Sequence, residues 1–296
     1  ATLHFARDRQ RFRLGFHAPA SHSIVNTPEC RILHPQLLDA MNALRPMLSK
    51  WKGRTLFGKV ELTLADQGVD MLIEGLAPDG LEAHEQLVDF ARSQGLARLA
   101  IDRGDGPETQ WEPEPVTIGF GDVAVPMPFG AFLQPTGDGE AALVAAARQA
   151  MGDGAMVADL FAGLGSFAFQ IGGAGRRVYA AEAARDSLLA LKQAADRQQL
   201  PVFAEHRDLF RNPLRPDMLD RFDAVLLDPP RAGAQDQIGQ LAGSTVPVIC
   251  YVSCNPATFA RDAAMLVEAG YRLTDLWPVG QFRWSSHVEL VSRFTR

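Results

Sequence analysis

The second half of the sequence alternates strand-like and helix-like segments so regularly that it constrains the fold more than any other feature. The strand-like runs 224–227 and 246–252 are apolar at almost every position, as strands covered by helices on both faces are. We predict strands at 156–160, 177–181, 202–206, 224–227 and 246–252, and helices at 139–150, 166–172, 185–198 and 235–242. This alternation predicts an α/β fold with a doubly wound, Rossmann-like parallel sheet.

The character of the sequence changes near residues 112–115, which contain two prolines and two glutamates. Before this point the pattern mixes helices, at 35–50 and 81–93, with strands at 55–64, 69–74 and 96–101. A hairpin-like stretch follows at 116–125. We therefore predict a smaller α+β domain at residues 1–115 and the α/β domain at residues 116–296.

Composition excludes several classes of protein. The 296 residues are 47% hydrophobic, enough for real cores, yet contain no run of 18 uncharged apolar residues and no opening signal segment. We therefore expect a cytoplasmic protein without membrane contact. Three cysteines form no disulfide framework, and a net charge of −6 argues mildly against broad nucleic-acid binding.

The start of the chain carries two further signals. Arg7, Arg9, Arg11 and Arg13 alternate with other residues, which places four arginines on one face if this segment is a strand. Such a face could contact RNA, and an ordinary solvated strand explains the pattern equally well. The chain also begins without Met, in what reads as the middle of a strand, so we expect an upstream segment.

In doubly wound sheets, ligands bind at the carboxyl ends of the strands, and a glycine-rich turn follows the first predicted strand. Gly163 and Gly165 permit a tight turn there, and Glu182 lies 19 residues beyond Gly163, after the second strand. This spacing fits a dinucleotide-binding loop, and it also fits the nucleoside loop of S-adenosylmethionine-dependent methyltransferases. A purely structural turn is the third interpretation.

Asp228 ends another apolar strand and is followed by Pro229 and Pro230, which cannot continue a ladder. The prolines hold a rigid loop that exposes the carboxylate. An ordinary strand-ending turn would look the same, but in methyltransferases that modify a nucleobase such a turn borders the base pocket. Asp228 therefore favours methyl transfer over nicotinamide chemistry.

Cys254 stands where the apolar run 246–252 gives way to a predicted helix at 257–269. Asn255 is a typical N-cap and Pro256 a typical first helical residue, so the helix terminus would favour a thiolate. A lone cysteine in this place can equally be buried and inert. Glu289 interrupts an apolar strand pattern near the end of the chain, where it is either a general base or a solvent-facing residue of an edge strand.

These motifs together resemble those of the RNA uracil-5-methyltransferase family, and the match runs along nearly the whole chain. The matching segments are 132–134, 159–165, Glu182, 227–233, 251–258, 261–262 and 287–289. The resemblance implies that Cys254 is the nucleophile, that Glu289 is the general base, and that S-adenosylmethionine is the cofactor. It also implies cofactor contacts from Gln134, Phe161, Gly163, Gly165, Glu182 and Asp228. Ser166 departs from the asparagine of many relatives.

Within that family, the segment around Leu14, His22 and Cys30 is similar to members that methylate 23S ribosomal RNA. The resemblance implies that Cys30 would be the last of four ligands to an iron–sulfur cluster, if an upstream segment supplies the other three. A buried structural cysteine is the alternative. We expect a monomer that acts on ribosomal RNA in preference to transfer RNA, without DNA binding or another metal. A nicotinamide oxidoreductase and a non-catalytic RNA-binding relative are the rival hypotheses.

Overall fold

The computed structural model describes residues 1–8, 11–52, 55–172, 175–282, 284–285 and 287–296. The chain divides into two compact units, Ala1–Ile118 and Gly119–Arg296, and each is described by itself. A two-stranded ribbon, β8 (Thr117–Phe120) with β9 (Val123–Pro126), begins at the boundary. Within the described ranges, no helix has both the length and the apolar character needed to span a membrane.

The first unit is a seven-stranded sheet with two helices packed on one face. Its order is β3-β2-β1-β4-β5-β6-β7, antiparallel except for the parallel pair β5–β6. The strands are β1 (Thr2–Asp8), β2 (Arg11–His17), β3 (Ile24–Asn26), β4 (Thr55–Ala65), β5 (Gly68–Glu74), β6 (Arg98–Asp102) and β7 (Pro107–Trp111), and the helices are α1 (Pro35–Ser49) and α2 (Gly80–Ser93). Leu3, Phe5 and Leu14 face Met41 and Leu44 in one fully buried core, which confirms the predicted α+β character.

The predicted row of four arginines on one face is wrong, because the chain reverses between β1 and β2. Arg7 pairs with Phe12, whereas Arg11 pairs with Asp8 and Arg13 with Ala6. Directly paired residues share a face and successive residues alternate, so Arg7 lies on the face opposite to Arg11 and Arg13. Arg9 lies outside the described residues.

The second unit contains the predicted doubly wound sheet, in the order β12-β11-β10-β13-β14-β16-β15. Its strands are β10 (Met156–Leu160), β11 (Arg177–Glu182), β12 (Val202–His206), β13 (Ala224–Leu227), β14 (Val248–Ser253), β15 (Arg272–Val279) and β16 (Glu289–Thr295). Its helices are α3 (Gly137–Met151), α4 (Ser166–Ile171), α5 (Arg185–Arg197), α6 (Pro216–Leu219), α7 (Gln235–Ala242) and α8 (Pro256–Glu268). The prediction of a doubly wound α/β fold is confirmed, whereas the pattern did not predict β15.

The direction of the strands decides where the site lies. The five strands β10 to β14 run parallel, so their carboxyl ends meet at one edge. Strands β10 and β13 lie side by side at the point where the strand order reverses. Strand β16 runs antiparallel to β14, so its first residue enters at that same edge. Glu289 is that first residue, so it lies at the edge where the parallel strands end.

Candidate active site

The turn from β10 into α4 is shaped by residues in the left-handed backbone region. Phe161, Gly163 and Gly165 have φ values of 65°, 56° and 92°. A Cβ on Gly165 would lie 2.7 Å from the ring of Phe169, so only glycine fits there. A Cβ on Gly163 would meet no atom within 4 Å, so this glycine supplies the conformation and leaves open space beside the backbone. The turn can therefore admit a ligand at close range.

Glu182 is fixed at the end of β11 by backbone amides. Its Oε2 accepts a hydrogen bond of 2.8 Å from the amide of Gly163, and its Oε1 accepts one of 2.6 Å from Ala184. Gly163 and Glu182, which lie 19 residues apart in the sequence, are therefore in direct contact. Each carboxylate oxygen keeps a second lone pair, so Glu182 can still accept hydrogen bonds from a pair of ligand hydroxyls.

An aromatic pair borders the same turn. The rings of Phe161 and Phe210 lie 5.4 Å apart, and Phe210 is 44% exposed. Asp208, two residues beyond β12, accepts amide hydrogen bonds from Phe210 and Arg211 and holds this segment in place. Our sequence interpretation missed Asp208 and Phe210, although an acidic residue just after the third parallel strand was a usable signal.

Asp228 follows β13, and its backbone amide donates to the carbonyl of Leu160 at the end of β10. Burial, and then the charge of Glu289, raise the pKa of Asp228 to about 7. Asp159, fully buried one strand away, has its pKa raised well above the usual range by burial and then by Asp228. Carboxyl groups therefore lie close together at this edge, and the pKa values of Asp159 and Asp228 are both raised.

Cys254 lies between the end of β14 and the start of α8. The predicted cap is confirmed, because Asn255 Oδ1 accepts a 3.1 Å hydrogen bond from Ala257 and Pro256 opens the helix. Asn255 Nδ2 also donates to the carbonyl of Arg231 at 3.0 Å. Thr258 Oγ1 donates to that carbonyl at 3.1 Å. The start of α8 thus holds the loop that follows Asp228.

The expected preference of Cys254 for the thiolate is opposed by its surroundings. Burial and then the charge of Glu289 raise the pKa of the Cys254 thiol, while the nearby Arg231 guanidinium lowers it. Arg231, which sequence analysis gave no role, therefore favours the reactive form.

Glu289 is buried, with 6% of its surface exposed, and β16 lies between β14 and β15 rather than at the edge of the sheet. The alternative of a solvent-facing edge residue is therefore wrong. Ser253 pairs with Leu290, so Cys254 and Glu289 are the next residues outward on two neighbouring strands. Burial raises the pKa of Glu289, and the neighbouring groups Gln281, Arg231 and His287 lower it.

Gln134 precedes α3, and its Oε1 accepts a 2.9 Å hydrogen bond from Gln281 Nε2. Gln281 lies in the connection between β15 and β16 and was missed in the sequence, because that connection shows no periodicity. Among the predicted site residues, a hydrogen bond joins Gly163 to Glu182. The charge of Glu289 raises the pKa values of both Asp228 and Cys254. The remaining ones, Gln134, Phe161 and Gly165, are placed by their own segments.

The other two cysteines have different surroundings. Cys250 is fully buried within β14, and burial raises the pKa of its thiol, which makes it a poor nucleophile. Cys30, in the first unit, accepts a hydrogen bond from the amide of Leu33 at 3.4 Å. Within the described part of the chain, no group of three or more His, Cys, Asp or Glu side chains could hold a metal ion. Cys30 alone does not fit an iron–sulfur cluster.

Comparison with known proteins shows similarity to RNA methyltransferases. The pattern of the family described as tRNA (Uracil-5-)-methyltransferase matches residues 203–293. An RNA methyltransferase of Zymomonas mobilis is 51% identical over 97% of this chain and 72% of that protein. The 23S rRNA (uracil(1939)-C(5))-methyltransferase of Shewanella frigidimarina is 31% identical over 99% of this chain and 67% of that protein.

A solved structure shares the fold. It is the tRNA (uracil-54, C5)-methyltransferase of Pyrococcus abyssi in complex with S-adenosyl-L-homocysteine, with a TM-score of 0.77 and 21% identity over 99% of this chain and 75% of that one. The open glycine turn and the fixed Glu182 carboxylate fit a nucleoside cofactor of this kind. The match to the Shewanella enzyme, over 99% of this chain and 67% of that protein, confirms the predicted family. The chain belongs to the RNA uracil-5-methyltransferase family, whose members are enzymes that methylate RNA.

Proposed function

We propose that this enzyme methylates carbon 5 of a uridine in 23S ribosomal RNA through a covalent adduct with Cys254. The observation that carries the proposal is the position of Cys254 and Glu289, one residue beyond the Ser253–Leu290 pair and next to Asp228. The named ribosomal RNA methyltransferase, 31% identical over 99% of the chain, supports ribosomal RNA as the substrate. Transfer RNA is the lesser alternative, supported by the name of the family pattern.

The cofactor would lie along the carboxyl edge, over the turn after β10. Glu182 would accept hydrogen bonds from the ribose hydroxyls, and the backbone at Gly163 and Gly165 would allow close approach. The rings of Phe161 and Phe210 offer an apolar border for the adenine. Asp228 and Gln134 would contact the amino-acid end.

The chemistry explains why a thiol and a carboxylate are both needed. Carbon 5 of uracil is a weak nucleophile, so the Cys254 thiolate adds to carbon 6 and the electrons of the C5–C6 double bond move to O4. When bound, S-adenosylmethionine would supply an electrophilic methyl group to carbon 5, and S-adenosylhomocysteine would leave as the bond between the methyl group and sulfur breaks. Glu289 takes the proton from carbon 5, the double bond re-forms, and the bond between carbon 6 and Sγ breaks. A positioned carboxylate contributes roughly 10²–10⁴-fold to such a step.

The charges around Cys254 and Glu289 suit this order of reaction steps. The raised pKa of Cys254 keeps the thiol protonated at rest, and Arg231 favours the thiolate once a substrate is bound. The same guanidinium would stabilise negative charge that develops on the uracil ring. Because the reacting atoms of a paired or stacked uridine are inaccessible, the base must be splayed out of its stack. We place the reaction in the cytoplasm, where ribosomal RNA is available, and propose that the enzyme acts as a monomer, without DNA.

The experiment uses purified enzyme, S-adenosylmethionine and both RNA classes, and it maps 5-methyluridine while detecting denaturant-resistant protein–RNA complexes. Cys254→Ala should abolish turnover and adduct. Glu289→Gln should transfer the methyl group and then stall, so a methylated adduct should accumulate. Cys250→Ala is the matched control, since it removes the buried thiol of β14, the strand that ends just before Cys254, and it should keep both turnover and normal release.

Free turnover by Cys254→Ala, or Glu289→Gln that releases product without any trapped adduct, would contradict the assigned roles. Methylation of transfer RNA in preference to 23S ribosomal RNA would overturn the substrate part of the proposal alone.

A further inference from the structure

Asp262 is a fully buried carboxylate near the middle of α8, and the proposed reaction gives it no role. Burying a carboxylate is unfavourable unless its oxygen atoms accept hydrogen bonds. One of its donors comes from the sheet, because the hydroxyl of Tyr251 in β14 donates to Asp262 Oδ2 at 2.7 Å. The other donors indicate what else the buried carboxylate achieves.

These other donors connect Asp262 to the loop 228–234, which joins β13 to α7. Its Oδ2 also accepts a hydrogen bond of 2.9 Å from the backbone amide of Ala234. Its Oδ1 accepts one of 2.7 Å from Arg261 Nε. The Nη2 atom of Arg261 in turn donates to the carbonyl of Ala232 at 3.0 Å. The ion pair of Asp262 and Arg261 therefore binds the backbone of this loop at two positions.

The loop backbone has a shape that fits this ion pair. Gly233 has a φ of 78°, in the left-handed region. A Cβ on Gly233 would lie 2.6 Å from both Arg261 Nη2 and Asp262 Oδ2, so the loop backbone packs directly against the two side chains. The amide of Gly233 also donates to the carbonyl of Pro230 at 2.8 Å, which closes the turn. A larger residue at position 233 would push the loop away from α8.

Arg231 lies in the same loop, between the segments that carry the proposed nucleophile and the proposed base. Its carbonyl accepts a hydrogen bond of 3.0 Å from Asn255 Nδ2, and Asn255 is the residue after Cys254. Its Nη2 lies 3.2 Å from Nδ1 of His287, two residues before Glu289. These contacts fix both ends of Arg231. A long, flexible side chain directs its charge accurately only where its backbone is held.

We propose that Asp262 is a positioning residue, which holds the loop 228–234 on α8 so that the Arg231 guanidinium lies beside the Cys254 thiol. This inference rests on the function proposed above, in which Arg231 favours the thiolate. It assigns the buried ion pair a part in the first step of the reaction, in addition to its contribution to the fold.

The groups that face Cys254 give the proposal a measurable sign. Burial, Glu289 and Asp228 raise the pKa of the thiol, and Arg231 lowers it. If Asp262→Asn releases the loop, the thiol loses the effect of Arg231 and its pKa should rise. A direct effect of the lost Asp262 charge would lower this pKa instead, because a nearby negative charge favours the protonated thiol. The sign of the shift therefore separates positioning from a direct charge effect.

The test measures the pKa of Cys254 from the pH dependence of its alkylation, without RNA, in enzyme that carries Cys30→Ser. Cys254 is then the thiol that reacts, because Cys250 is fully buried. Arg231→Gln and Asp262→Asn should each raise the pKa, so alkylation at neutral pH should be roughly 3- to 10-fold slower. The double variant should match Arg231→Gln alone, because Asp262 acts through Arg231.

Gly233→Ala displaces the loop from the ion pair without altering Asp262, so it should raise the pKa in the same direction, and it serves if Asp262→Asn fails to fold. The matched control is Tyr251→Phe, which removes one hydrogen bond to the same carboxylate and leaves those from Ala234 and Arg261 in place. It should lower the thermal midpoint and leave the pKa of the Cys254 thiol unchanged.

A wild-type or lowered thiol pKa in folded Asp262→Asn and Gly233→Ala would overturn the positioning role. An unchanged pKa in Arg231→Gln, or a further rise in the double variant, would overturn it as well. Normal turnover by Cys254→Ala would instead overturn the proposed function. Because the alkylation measurement needs neither RNA nor turnover, the two failures are distinguishable.

Discussion

At the scale of single residues, the site depends on side chains that the backbone has already oriented. Glu182 illustrates this, since two backbone amides hold its carboxylate before any ligand arrives. Its contact with the glycine turn could be predicted from the sequence, because the distance from that turn to the end of the next strand fixes both partners. The contact between Gln281 and Gln134 could not be predicted from the sequence, because the two residues lie 147 positions apart in the chain.

Glu182→Ala should weaken binding of S-adenosylhomocysteine by about 1–3 kcal/mol, since the charged acceptor for the ribose hydroxyls is lost. Isothermal titration measures this directly. Glu205→Ala is the matched control, because Glu205 lies on the adjacent strand and bonds to Tyr179 and Arg207. Its affinity should equal that of the wild type. Unchanged affinity in Glu182→Ala, or tighter binding of NAD by the wild type, would remove Glu182 from the cofactor site.

At the scale of elements, periodicity was sufficient to predict a strand or helix whose residues are buried in a regular pattern. Each residue of β13 is fully buried, and its apolar run predicted the strand to the residue. Strand β15 carries polar and exposed residues at alternate and irregular places, with a register shift between Leu273 and Asp275, and it was missed. The reversal between β1 and β2 was missed for a related reason, because the same alternation of residues runs through both strands.

Helix α8 has a second task beyond presenting Cys254, because its cap also holds the loop after Asp228. Asn255→Ala should lower the stability of the enzyme by about 1 kcal/mol through loss of the cap, and should lower kcat because the Arg231 carbonyl loses a partner. Thermal unfolding and steady-state kinetics measure the two effects separately. Asn255→Ser restores a capping oxygen without reaching Arg231, so it should recover most of the stability and little of the activity. Full activity in Asn255→Ala would show that the cap has no part in placing the loop.

At the scale of the whole molecule, the doubly wound unit was predictable from the sequence, and the place of the candidate catalytic residues followed from where its strands end. The positions of Asp228, Cys254 and Glu289 are separated by up to 61 residues in the sequence, yet they follow from strand direction alone once β16 is antiparallel. Which groups raise and lower each pKa could not be predicted, because these values depend on burial and on neighbours from several segments.

The chain has too few cysteines to hold a four-cysteine iron–sulfur cluster. A four-cysteine iron–sulfur cluster needs four thiolates in one place. This chain has three cysteines: Cys30 lies in the first unit, and Cys250, within β14, and Cys254, just after β14, lie in the second. The 296-residue chain should therefore purify colourless, and anaerobic reconstitution with iron and sulfide should leave no stoichiometric metal by elemental analysis. Cys30→Ser should give the same result. Stoichiometric iron that is lost in Cys30→Ser would show that Cys30 is a ligand already within these residues.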